Sequence, residues 1–205
     1  MSSSPDRTPA GSDPTGTGPG SSDAPGHSSA PRTPDATGSG PERPSRRHRR
    51  SGDGWVETPE GRFWGKFGAA GLLIHDLERG VLLQHRVAWS AQGGTWGIPG
   101  GAIDAGETAL AGAIRESHEE AGVPELDGTG VEVIGTHVLE KEGWSYTTVI
   151  ARATTHLEEF VNDIESVALA WVPLDEVADY PLHPGFENAW PHLRSVLEEN
   201  LPAGE

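Results

Sequence analysis

Cysteine is absent from the 205-residue chain, which excludes a disulfide framework, a thiolate metal site and a cysteine nucleophile together. Also missing is any run of about 18 apolar residues, the minimum for a membrane-spanning helix, and the first fifty residues hold no apolar stretch of the kind that directs secretion. The expectation is a soluble, cytoplasmic protein with no membrane partner. Lysine is scarce, two residues against 13 arginines, and the 15 basic residues face 31 acidic ones. A formal charge of −16 offers no basic footprint for a phosphodiester backbone, so no nucleic-acid partner is expected. A small anion bridged by a cation is compatible with it.

Residues 1–54 contain no Val, Ile, Leu, Phe, Tyr or Trp, and Ser, Gly, Pro and Thr supply 34 of those 54 positions. Such a segment buries too little apolar surface to offset its ordering entropy. It reads as a disordered tail, and residues 55–205 as one domain. The tail holds seven basic and six acidic groups, so the acidity belongs to the domain. The basic run Arg46, Arg47, His48, Arg49 and Arg50 reads as a solvated stretch.

Order is expected to begin where aromatic residues first appear, over residues 55–67. Residues 67–75 read as a buried strand, paired as a hairpin with 81–86 through a turn at Glu78, Arg79 and Gly80. Residues 93–101 are loop by composition. Thr108 is an N-cap hydroxyl for a helix over 109–121, and Gly122 supplies its stop. Residues 131–139 and 144–153 form a second strand pair, and 167–172 a last strand. Phe186, Trp190, Leu193 and Leu197 mark one face of a closing helix, with an irregularity expected at Pro191. The pattern implies an α/β protein, an α/β/α sandwich with a mixed β-sheet between helices.

Glu116, Glu119 and Glu120 span an arc of roughly 100° on the first helix, while Leu110, Ile114 and Ala121 form the arc expected against the sheet. Clustered carboxylates repel unless a cation sits among them, and a hard divalent ion with oxygen ligands would meet that need. The register of residues 101–123 is more telling than the spacing alone. It runs Gly101, five residues, Glu107, seven residues, Arg115-Glu116, two residues, Glu119-Glu120, one residue, Gly122, Val123. This resembles the signature of the Nudix hydrolases, with one departure at Ser117, where the family has a bulky aliphatic residue. His118 fills a variable position and reads as an ordinary solvated histidine.

The resemblance implies hydrolysis of the diphosphate linkage in a nucleoside diphosphate joined to another moiety, with Mg²⁺ as cofactor and Mn²⁺ as its substitute. The partner is then a small-molecule nucleotide, and a MutT-like role on normal or oxidised nucleoside triphosphates is the default. Transferred residue by residue, Glu116, Glu119 and Glu120 become metal ligands with the carbonyl of Gly100. Glu107 buttresses the loop or binds a further ion, and Arg115 orients the glutamates, Glu107 in particular. The general base is either Glu116 on the helix or Glu165 on the loop before the last strand. Trp96, Trp144 and Tyr146 are the aromatic candidates for substrate contact. The family is often dimeric, which admits a homodimer. The alternative reading is a Nudix-fold nucleotide sensor without turnover.

Overall fold

The structure is a computed structural model, and it describes residues 49–202 apart from Ala91. The expected tail lies outside the described residues over 1–48; residues 49–54 are described and pack against the domain.

An eight-residue strand of small and branched side chains, β3 (Ala69–Asp76), forms the middle of the molecule; seven of its eight residues are buried. It is preceded by a hairpin of β1 (Trp55–Thr58) and β2 (Gly61–Trp64), which forms a sheet of its own. The main sheet adds β4 (Gly80–Arg86), β5 (Trp96–Gly97), β6 (Gly100–Ala102), β7 (Val131–Lys141), β8 (Trp144–Ala153) and β9 (Ser166–Val172). Its order is β5-β4-β3-β8-β7, with β6 paired to β3 and β9 to β4. β3 and β8 run parallel over seven positions while the other pairs are antiparallel, so the sheet is mixed, as expected.

Strand alternation sends side chains to two cores. On one face Ala70, Leu72, Ile74, Leu82, Val149 and Ala151 pack under α1 (Ala109–Ala121). On the other, Leu73, Leu83, Ile150 and Val172 pack with Phe186, Trp190, Leu193 and Leu197 of α2 (Pro184–Glu199). The α/β/α layering follows. α2 continues through Pro191, which the sequence reading expected to disturb it.

Four strands differ from the sequence reading, among them β5, which lies in the stretch 93–101 read as loop. β1 and β2 stand where only the onset of order was expected. β6 lies in the stretch read as loop, and its residues Gly100, Gly101 and Ala102 pair with Gly71, Ala70 and Ala69. At Gly100 a Cβ would meet the carbonyl oxygen of Ala70 and the Cα of Gly71 at 2.6 Å, so only glycine permits this approach.

Candidate active site

α1 starts at Thr108, whose hydroxyl accepts the Ala111 N–H at 3.1 Å, and stops at Gly122 in the left-handed region, φ 73°. Its buried residues are Gly112, Ala113, Glu116, Ser117, Glu120 and Ala121. The expected sheet-facing arc holds at Ile114 and Ala121, which pack on the core, and is corrected at Leu110, which is 42% exposed, while Glu116 and Glu120 are 2% and 1% exposed. Small side chains let the helix lie close to the sheet, and the acidic positions are turned inward with them. Ser117 is wholly buried, and its hydroxyl donates to the Val123 carbonyl at 2.6 Å; it fills the aliphatic position with a satisfied polar group. His118 is half-buried, with Nδ1 2.8 Å from the Pro124 carbonyl oxygen.

The inward carboxylates meet β6. The Gly100 N–H donates to Glu120 Oε2 at 2.9 Å. Gly101 lies so close to Glu116 that a Cβ would meet its Oε2 at 2.6 Å. Arg115 holds the group together. Its Nε and one terminal nitrogen donate to the two oxygens of Glu107, each at 2.8 Å; the other terminal nitrogen donates to Glu116 Oε1 at 2.6 Å, and the Ala102 carbonyl accepts a further bond at 2.9 Å. These bonds to Glu107 and Glu116 push the Arg115 pKa up, and Arg115 in turn holds Glu107 below its ordinary value. Glu107 Oε2 also accepts the Asp104 N–H at 2.9 Å, so this residue fastens the loop to the helix.

Glu119 is placed differently, about a quarter exposed, and its Oε1 accepts from Arg50. Arg50 also reaches Asp104 Oδ2 at 3.3 Å. Asp104 is held at a pKa of about 2, first by the Gly52 N–H and then by the Ser51 hydroxyl, Arg50 and Arg115. Arg50, read from sequence as part of a solvated run, is therefore a member of the acidic cluster; Arg46, Arg47 and His48 lie outside the described residues.

Glu165 arrives from the loop before β9, which is tied to the end of α1: the Phe160 N–H donates to the Ala121 carbonyl at 3.0 Å and the Asn162 N–H to that of Glu120 at 3.2 Å. The Phe160 ring occupies the space a side chain at Gly122 would need. Carboxylate oxygens of Glu120, Asp163 and Glu165 lie within 4.8 Å of one another, which makes this trio the convergent group among the described residues. The three helix glutamates do not form such a group, since Glu116 and Glu119 face arginines. Asp163 was not found from sequence. Its signal is the turn it makes, Oδ1 accepting the N–H groups of Glu165 (2.9 Å) and Ser166 (3.1 Å) and the Ser166 hydroxyl (3.0 Å).

An all-carboxylate donor set suits a hard divalent cation. Gln84 adds a second indication. It is wholly buried and donates to the Ser166 hydroxyl at 2.7 Å, one hydrogen bond from Asp163, while its carbonyl oxygen has no protein partner. A water carried by a cation beside Asp163 would supply the missing donor.

Of the aromatic candidates, Tyr146 reaches this end of the sheet: its hydroxyl occupies the place a Cβ at Gly71 would take. Burial pushes its phenol pKa up, and the charge of Glu120 adds to the effect. Trp96 stacks on His85 at 4.7 Å and meets the Tyr180 ring edge-on at 5.1 Å. Trp144 stacks on Phe63 at 4.6 Å and lines a surface groove of about 360 Å³ with Lys66, Phe67 and Lys141; no residue of the acidic cluster lines that groove. No helix among the described residues is long and apolar enough to cross a membrane.

Comparison with known proteins identifies the family. The NUDIX domain family model matches residues 65–194. A Mycobacterium tuberculosis protein named "Putative 8-oxo-dGTP diphosphatase 3" is 48% identical over 159 residues, covering 72% of this chain and 71% of that protein. A Bifidobacterium longum protein named as a nucleoside triphosphate pyrophosphatase/Nudix hydrolase fusion is 43% identical over 157 residues, 72% of this chain but 32% of the longer relative. The crystal structure of the Mycobacterium smegmatis Nudix hydrolase RenU superposes with a TM-score of 0.65 at 45% identity, covering 75% of this chain and 100% of that one. The extent of these matches, on a chain that carries the signature register from Gly101 to Val123, makes this protein a member of the Nudix hydrolase family, a MutT-like pyrophosphohydrolase.

Proposed function

We propose that the protein cleaves the diphosphate linkage of a nucleoside diphosphate joined to another moiety, with Mg²⁺ as cofactor and Mn²⁺ able to replace it. Nucleoside triphosphates, 8-oxo-dGTP among them, are the substrates to test first, because the mycobacterial relative at 48% identity carries that activity in its name. The observation that carries the reading is the meeting of Glu120, Asp163 and Glu165 from two separate segments, with Glu116 and Glu119 on the adjoining turn of α1.

In this reading Glu116, Glu119 and Glu120, with the Gly100 carbonyl, would hold the divalent ion, and Asp163 and Glu165 would hold a further one. A divalent ion held there would supply charge neutralisation on non-bridging phosphate oxygens and a lowered pKa for a coordinated water. The chain's own residues do the rest. Glu165 takes the proton of the attacking water, and Glu116 is the alternative base. Arg115 fixes Glu116 through the bond at 2.6 Å and Glu107 through its paired bonds. Tyr146, half-buried beside Glu120, borders the place where the nucleotide lies. Trp96 and Trp144 are engaged with His85 and Phe63, and Trp144 lines a groove apart from the acidic cluster.

The test is a panel of nucleoside triphosphates, nucleotide sugars, ADP-ribose and dinucleoside polyphosphates, incubated with millimolar Mg²⁺ and followed by product analysis. Release of a nucleoside monophosphate or of phosphate from at least one compound, lost in Glu119→Gln and Glu120→Gln with the fold intact, is the expected result. Turnover in both variants equal to the parent would remove the assignment.

A further inference from the structure

Arg50 lies fifteen residues ahead of the family domain, which begins at residue 65, yet its side chain ends on a signature glutamate. The segment carrying it is stapled in place. The Gly52 N–H donates to Asp104 Oδ1 at 2.9 Å, and the Ser51 hydroxyl donates to the same oxygen at 2.7 Å. The Ala105 N–H donates to Ser51 Oγ at 2.9 Å, and the Lys66 N–H to the Gly52 carbonyl at 2.9 Å. Gly52 is packed so closely on Ile103 that a Cβ would meet its carbonyl oxygen at 2.2 Å. These bonds hold the backbone next to Arg50 against the loop of Asp104 and keep the root of its side chain beside the cluster.

Both oxygens of Glu119 face guanidinium groups, Oε1 bonded to Arg50 and Oε2 3.8 Å from Arg115. Were Oε1 to ligate a divalent ion, Glu119 would part from Arg50. The guanidinium, carried on this anchored backbone, would then have donors to offer beside the site, where the substrate's polyphosphate would bring negative charge. Arginine presents a planar fork suited to two phosphate oxygens.

We propose, on the basis of the function above, that Arg50 is a substrate-binding residue: it neutralises Glu119 in the metal-free protein and transfers to the non-bridging oxygens of a nucleoside polyphosphate when the cation takes Glu119.

The two halves predict opposite effects of one substitution, both read without turnover. In the full chain, Mn²⁺ alone is titrated by electron paramagnetic resonance, and a non-hydrolysable nucleoside triphosphate with saturating Mn²⁺ by calorimetry. Arg50→Ala should bind Mn²⁺ several-fold more tightly and the nucleotide at least about tenfold more weakly; Arg50→Lys, which keeps the charge without the fork, should fall between parent and alanine in nucleotide affinity. Weakening of both ligands together would mean a merely structural role and overturn the proposal, as would unchanged nucleotide affinity. A parent that binds the nucleotide but cleaves nothing in the substrate panel would count against the function above and leave the Arg50 result to be read separately.

Discussion

Gly101 and Glu116 leave no room between them: a methyl group on the glycine would stand 2.6 Å from the carboxylate carbon and from Oε2. The neighbouring Gly100 is equally confined, but by backbone atoms of Ala70 and Gly71. The two positions should therefore fail in different ways. Gly101→Ala meets the far end of a side chain, so the protein folds with Glu116 displaced, and kcat falls by about 100-fold, the scale of an ångström-sized misplacement. Gly100→Ala meets backbone and should lower the melting temperature. Thermal denaturation beside steady-state kinetics separates the two, and a Gly101→Ala enzyme with parental kcat would contradict the placement of Glu116 in the chemistry.

Arg115 is bound by two carboxylates with little solvent, its own side chain 13% exposed and those of Glu107 and Glu116 15% and 3%. Arg115→Gln leaves both acids without their cation, and breaking a buried pair from one side costs about 3 kcal/mol. Chemical denaturation should show a loss of that order, and kcat should fall with it. Retention of parental stability would show that solvent replaces the guanidinium.

Asp163 combines a negative charge at the convergent trio with a turn that aims Glu165. Asp163→Asn keeps a turn-forming side chain but removes the charge, so Mn²⁺ affinity should drop by about tenfold or more while the fold is retained. Ser166→Ala removes one donor to Asp163 and should have a smaller effect. Equal Mn²⁺ affinity in the parent and Asp163→Asn would take this residue out of the cation site.

Acid should destabilise the protein in two stages. Burial, the main cause at each, lowers the pKa of His75, His137 and His183 below 6.5 in the folded state. The folded protein thus binds fewer protons than the unfolded chain, and this contribution is complete above pH 6.5 and fades as pH falls below it. Asp104 and Glu107 are depressed carboxylates, so their contribution fades only below about pH 4, extending to about pH 2 for Asp104. Melting temperatures without divalent ions should decline from pH 7 to 5 and again below 4. A flat profile down to pH 5 would mean the three histidines protonate without cost.

Local signals made α1 legible before any coordinates: a hydroxyl at its start, a glycine at its end and the glutamate register within. The buried face was legible only in part: Ile114 and Ala121 pack inward, but apolar Leu110 is left outside by a helix whose close approach depends on Gly112, Ala113 and Ser117. β6 was unreadable because two glycines and an alanine carry no alternation; its pairing is decided by β3, thirty residues earlier. The β1–β2 hairpin escaped notice because Trp55 and Trp64 pack edge-on against each other at 5.3 Å and belong to neither core. Arg50 was invisible for a different reason: its partner Glu119 lies 69 residues further on, and a cation in a glycine-rich, proline-rich stretch gives no hint of its destination.

The pairing of Gly100, Gly101 and Ala102 with β3 joins the proposed active site to the most enclosed strand among the described residues, with no joint of its own. Warming should then extinguish catalysis and near-ultraviolet ellipticity at one temperature, leaving no window in which an idle enzyme keeps an intact interior.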